Sequence, residues 1–148
     1  MKFRMFLCLL LSLFICSSSV YKAPPPKMLT IYEKAEKATG APAKVLQAIA
    51  IVESDELDNA IGDEGKSRGR MQLNETFRAE RVKKYGNYDP NDPEQSVKVS
   101  GFIFVENLQR LRSLDAAIAA HRQGVCGIRK HGITSWYVDR VKKAMEEL

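Results

Sequence analysis

Val45-Leu46-Gln47-Ala48-Ile49-Ala50-Ile51-Val52-Glu53-Ser54 decides how the rest of this chain is read. Val45, Leu46, Ile49 and Val52 recur at helical spacing and form one apolar stripe. Pro42 sits just ahead of it, where an early helical turn tolerates proline. Glu53 ends the stripe, four residues after Ile49. Glutamate is rarely buried unless it has a partner. A carboxyl at the wall of an apolar face has its ionised form disfavoured, which suits a proton donor. On position alone, a solvent-exposed glutamate in the last turn of a surface helix is the simpler reading. Residues 54–70 follow as a polar stretch with Gly62, Gly65 and Gly69, read as a loop with room for a short hairpin.

Outward from this stretch the pattern stays helical. Upstream, Met28, Ile31, Tyr32 and Ala35 share a face, and Gly40 ends the segment. Downstream, Asn74 is positioned to cap a third helix running to Gly86. Asp92-Pro93 starts a fourth, with Val97, Phe104, Leu108 and Leu111 as its core face. Ser113 begins a fifth, carrying Leu114, Ala117 and Ile118, and Gly124 closes it. Thr134 or Ser135 starts a sixth, with Tyr137, Val141, Met145 and Leu148 on one side. Strand-like alternation is nowhere sustained. The expected fold class is all-α, or mainly α with a minor β element, in one domain over residues 28–148.

The N-terminus reads differently. Lys2 and Arg4 precede an apolar run from Met5 to Ile15, and Ser17, Ser18 and Ser19 follow. That is the pattern of a secretory signal peptide over residues 1–19. The run is short for a bilayer-spanning helix. Lipid modification at Cys16 ranks second, because Ile15 stands where a small residue is usual. Residues 20–27, with Pro24, Pro25 and Pro26, read as a stiff linker. An exported protein, periplasmic or extracellular, is therefore expected.

Charge and cysteines narrow the function. The chain has 148 residues, 23 Lys+Arg and 18 Asp+Glu. Without Lys2 and Arg4 the basic residues fall to 21 against 18 acidic, a net of +3. A mildly cationic exported protein is drawn to an anionic polymer such as cell wall. Nucleic acid is not expected, since no basic run is interleaved with aromatics. With Cys8 and Cys16 in the signal region, Cys126 has no partner for a disulfide. A nucleophilic Cys126–His131 pair is weighed against a half-buried structural thiol beside a glycine-rich turn, and the thiol is preferred. His121 and His131 are too few and too far apart for a metal site, and neither metal nor cofactor is expected.

Several motifs then fall in order. Glu53-Ser54 ends the apolar helix. Gly69-Arg70-Met71-Gln72-Leu73 follows, then Asp92-Pro93-Glu94-Gln95, then Ala116-Ala117-Ile118-Ala119-Ala120, then Tyr137-Val138-Asp139-Arg140-Val141. Together they resemble the lytic transglycosylase family of the lysozyme-like superfamily, relatives of goose-type lysozyme, over about residues 43 to 143. Any one motif is weak, whereas several in the right order and spacing are a strong signal. The resemblance implies a lysozyme-like fold, peptidoglycan strands as substrate and Glu53 as catalytic acid. It places Ser54, Met71, Gln72, His121, Arg122 and Tyr137 around the substrate, and it implies that the Tyr137 hydroxyl reaches Glu53. A plain core aromatic is the other reading of Tyr137. Gly69 would let backbone approach a sugar closely. The Gln72 amide could bind sugar or acetamido groups, or tie the loop to the helix.

The chain also departs from the family pattern. Ala120-His121-Arg122-Gln123-Gly124 stands where relatives have Ala-Tyr-Asn-x-Gly. His121 can still stack on a sugar and donate a hydrogen bond. Arg122 brings a charge able to meet a lactyl or peptide carboxylate. Ser96 replaces an Asn, and Arg70 a common Leu.

The resemblance implies a one-carboxylate mechanism that closes an anhydro ring on muramic acid. Two alternatives stand beside it. A hydrolytic lysozyme would pair Glu53 with Asp63, or with Asp55 or Glu64. A catalytically weak or inactive glycan-binding module would have lost activity through His121 and Arg122. A monomer is expected, with cell-envelope assembly proteins as conceivable partners.

Overall fold

The computed structural model of this protein describes residues 28–148. The signal read at residues 1–19 lies outside them, as does the linker of residues 20–27 up to Lys27.

Thr30 opens the first helix, α1 (Ile31–Thr39), through a reciprocal capping box with Glu33. The cap lies after Met28, so Met28 is not on the helical face and is 88% exposed. Gly40 ends α1 in the left-handed conformation that glycine adopts without strain. Next comes α2 (Ala43–Ser54), with Pro42 at its N-cap rather than in its first turn. Leu46, Ala48, Ile49 and Ala50 are fully buried along α2. Burying a leucine- or isoleucine-sized side chain contributes about 1.5–3 kcal/mol, so this stripe anchors the fold.

After α2 the chain forms a small antiparallel sheet of three two-residue strands: β1 (Ile61–Gly62), β2 (Ser67–Arg68) and β3 (Leu73–Asn74). The register pairs Ile61 with Arg68 and Arg68 with Leu73. The glycine-rich loop thus gains one strand more than a hairpin. Asn74 does cap a helix, but first a 3-10 turn (Glu75–Phe77), where its side chain accepts from the Thr76 N–H at 2.9 Å. The helix proper, α3 (Arg78–Tyr85), follows.

Three longer helices complete the domain: α4 (Pro93–Leu111), capped by Asp92, α5 (Leu114–His131), capped by Ser113, and α6 (Ser135–Glu147). Helix α4 packs on α1 and α5, and α6 packs on α2. Gly101 makes the α1–α4 approach close, since a Cβ there would lie 2.6 Å from the Thr39 hydroxyl. Ala116, Ala117, Ala119 and Ala120 are buried around Ile118, and their small side chains let neighbours pack on every side of this turn of α5.

Gly124 breaks α5 but does not end it. Its φ of 68° and ψ of 165° kink the chain, which then stays helical to His131. Cys126 lies on that second segment and is exposed, not half-buried. Two apolar positions expected in core faces also face solvent. Leu114, the first residue of α5, is 41% exposed, and Leu148, past the end of α6, is 48% exposed. Helix ends leave part of a stripe beyond the packing partner. The fold is mainly α with a minor β element, as a lysozyme-like domain requires.

Candidate active site

The core stripe of α2 runs directly into the site. Glu53 is the penultimate residue of α2, and Asp55 then turns the chain with a φ of 54°. Glu53 therefore stands at the rim of the core, its side chain only 12% exposed. It opens onto a groove of about 730 Å³ that runs between the small sheet, α3, α4 and the middle of α5.

Tyr137 meets it from the other end of the sequence. The Tyr137 ring is buried in α6, and its hydroxyl donates to Glu53 Oε1 at 2.6 Å across 84 positions. Burial, the facing Glu53 charge and this hydrogen bond push the Tyr137 phenol far above the ordinary tyrosine range. The phenol is thus a fixed donor. It occupies Oε1 and leaves Oε2 for proton exchange with a ligand.

His121 forms the third side. Its Nε2 lies 2.9 Å from the Met71 carbonyl oxygen and 4.0 Å from Glu53 Oε1. A carbonyl oxygen only accepts, so Nε2 carries the proton and donates it to Met71. The imidazole is fixed by backbone beside the acid. Arg122, the next residue, is exposed on the groove wall. Its guanidinium carbon sits 4.8 Å from the centroid of the Trp136 ring and 5.9 Å from that of Tyr137.

The glycine-rich motif serves the site mainly as scaffold. Ser54 Oγ donates to the Arg70 carbonyl at 2.8 Å and to the Ala50 carbonyl at 3.3 Å, which clamps the loop to the end of α2. Met71 is fully buried in the core, so its backbone carbonyl, not its side chain, reaches His121. Gln72 lines the groove, yet its amide donates inward to Gly69 at 2.8 Å and to Ala60 at 3.3 Å. These bonds hold Gln72 at a φ of 45°, which costs a non-glycine residue about 1–2 kcal/mol. Gly69 permits a close approach of backbone to backbone: a Cβ there would lie 1.7 Å from the Pro90 carbonyl oxygen. Of the readings given to Gln72, the loop tie is the one seen.

Asp63 lines the same groove, with Oδ2 accepting the Ser67 hydroxyl at 2.5 Å. Among the described residues, no cluster of three or more His, Cys, Asp or Glu could hold a metal ion.

Two features escaped the sequence. Trp136, the chain's one tryptophan, is 49% exposed beneath Arg122, and its place beside Tyr137 was the available signal. Arg70 is a brace. Its Nε donates to Asp58 at 2.7 Å, and its Nη1 donates to the Tyr32 hydroxyl at 2.9 Å and to Glu56 at 3.3 Å. Tyr32 in turn donates to Glu56 at 2.5 Å. Burial works against the charge on Arg70, but Asp58 and the Tyr32 hydroxyl hold its pKa above the ordinary value. The brace ties the loop that carries Met71 and Gln72 to α1.

The family described as Transglycosylase SLT domain matches residues 30–135, from the α1 cap to the first residue of α6. No curated protein matches the chain. The match covers well over half of the sequence, and the mainly helical fold agrees with it. This chain belongs to the transglycosylase SLT domain family, a lysozyme-like family of peptidoglycan-acting proteins.

Proposed function

We propose that this protein is a lytic transglycosylase that cleaves the MurNAc–GlcNAc bond of peptidoglycan without consuming water, with Glu53 as both acid and base. The observation that supports it most is the Tyr137–Glu53 hydrogen bond at the wall of a groove. Protonated Glu53 gives its proton to the glycosidic oxygen as the bond to the muramyl anomeric carbon breaks. The GlcNAc side leaves with a new hydroxyl. The Glu53 carboxylate then takes the proton from a hydroxyl of the same muramic acid. That oxygen bonds to the anomeric carbon and closes an anhydro ring, and Glu53 ends protonated again. Tyr137 donates to Oε1 through the step in which the carboxylate is charged and so orients the group at the groove.

The hydrolytic alternative needs a second carboxylate, and Asp63 does line the groove. Asp63 Oδ2 accepts the Ser67 hydroxyl much as Glu53 Oε1 accepts the Tyr137 hydroxyl, so the products decide between the two readings. Export through the signal read at residues 1–19 would bring the enzyme, as a monomer, to its polymer in the periplasm or outside the cell. Purified protein incubated with cell-wall sacculi tests the reading. Release of soluble muropeptides by the wild type, and none by Glu53→Gln, is expected. Binding without release by the wild type would mark a glycan-binding module instead.

A further inference from the structure

The cations along the groove differ in one respect. Arg81 donates through Nε to the Tyr88 hydroxyl at 2.6 Å and through Nη2 to the Asn74 carbonyl at 2.6 Å. Lys84 is paired with Glu106, which also feels Arg110. Arg122 has no such partner. Among the described residues it meets only rings, Trp136 and Tyr137, and no carboxylate at salt-bridge distance.

Its surroundings hold its backbone in place. Gln123, next in sequence, donates to the Gly132 carbonyl at 2.7 Å and accepts from the Thr134 N–H at 3.1 Å. The kink at Gly124 follows at once. These bonds anchor the backbone that carries Arg122, and its exposed guanidinium lies over the Trp136 ring. A guanidinium over an indole keeps in-plane N–H donors for a second partner. Those donors match a carboxylate, which a guanidinium can bind through two parallel hydrogen bonds.

We infer that Arg122 is a specificity residue that reads a free carboxylate on the bound glycan, either the lactyl carboxylate of muramic acid or one on its peptide. The inference rests on the glycan-cleaving function proposed above. GlcNAc-only strands lack this group. Strands stripped of peptide carry it on the lactyl ether, and intact strands carry it only on the peptide.

The test uses calorimetric binding to the full chain with Glu53→Gln, so that ligands survive. Each strand is offered in its acid form and with carboxylates converted to amides. The acid form should bind about tenfold more tightly than its amide, which is the scale of one charge-assisted contact. Adding Arg122→Gln should bring that ratio close to one, and Arg122→Lys should recover part of it by charge. A ratio seen with peptide-free strands assigns the lactyl carboxylate, and one seen only with intact strands assigns the peptide. An unchanged ratio in Arg122→Gln, or a Lys variant as indifferent as the Gln variant, would overturn the inference. If the wild type released no muropeptides from sacculi, the glycan-cleaving function itself would fall.

Discussion

Two neighbouring pairs at the site are held on different terms. Glu53 and Tyr137 join at the rim of the core, and their residue types match the family pattern. His121 and Arg122, beside them, depart from that pattern and are held by a backbone carbonyl, a ring face and the Gln123 tie. The first pair is positioned by packing, which tolerates little change. In the second, the His121 side chain is only 8% exposed and is set by one hydrogen bond to backbone, while Arg122 is exposed. The proposed acid and its donor thus sit where the family pattern holds, and this chain's own character lies next to them.

The comparison breaks most sharply at the acid. Glu53→Gln keeps the side-chain shape and should fold normally, while sacculus cleavage falls by about 10²–10⁴-fold, the usual weight of general acid catalysis. Muropeptide release with near wild-type turnover would refute the assignment. A smaller effect is expected at Tyr137→Phe. The ring still packs, but the carboxyl loses its orienting donor. Turnover should fall about tenfold or more, while the midpoint of urea unfolding moves far less than a tenfold change would correspond to. Equal losses in both would make Tyr137 a core residue only.

Arg70→Leu should show the reverse pattern. Removing a mostly buried cation leaves Glu56, Asp58 and the Tyr32 hydroxyl without their shared donor. Stability should drop by about 1–3 kcal/mol in urea unfolding, with cleavage by the folded fraction reduced less than in Tyr137→Phe. Full stability in this variant would mean that the brace contributes nothing.

The smallest effect is a pH slope. The phenol pKa values of Tyr137 and Tyr32 are raised, chiefly by burial. A raised pKa contributes stability that is complete below the unfolded tyrosine value of about 10 and is lost as pH rises toward the folded value. Unfolding midpoints should therefore fall above about pH 10, less steeply in Tyr137→Phe. An identical slope in the two proteins would contradict this.

How much of this could be read in advance follows the same division. The α2 stripe, Gly40, Asp92-Pro93 and Ser113 mark helices because apolar period and capping chemistry are local. The Glu53–Tyr137 contact spans 84 positions, and only the resemblance pointed to it. Local pattern could not reveal that Met71 packs inward while lending its carbonyl, or that Gly69 makes room for Pro90. Nor could it show that α5 resumes after Gly124, since a glycine that kinks a helix reads the same as one that ends it. The three strands are two residues each, too short to display alternation.

The central claim is that one carboxylate, steadied by Tyr137, does the work of two. Mass spectrometry of the ends made on sacculi tests it directly. Muramic ends in the anhydro form are expected, each lighter by one water than a hydrolysed end. Reducing muramic ends throughout, disappearing when Asp63 is replaced, would contradict it and establish a hydrolytic pair.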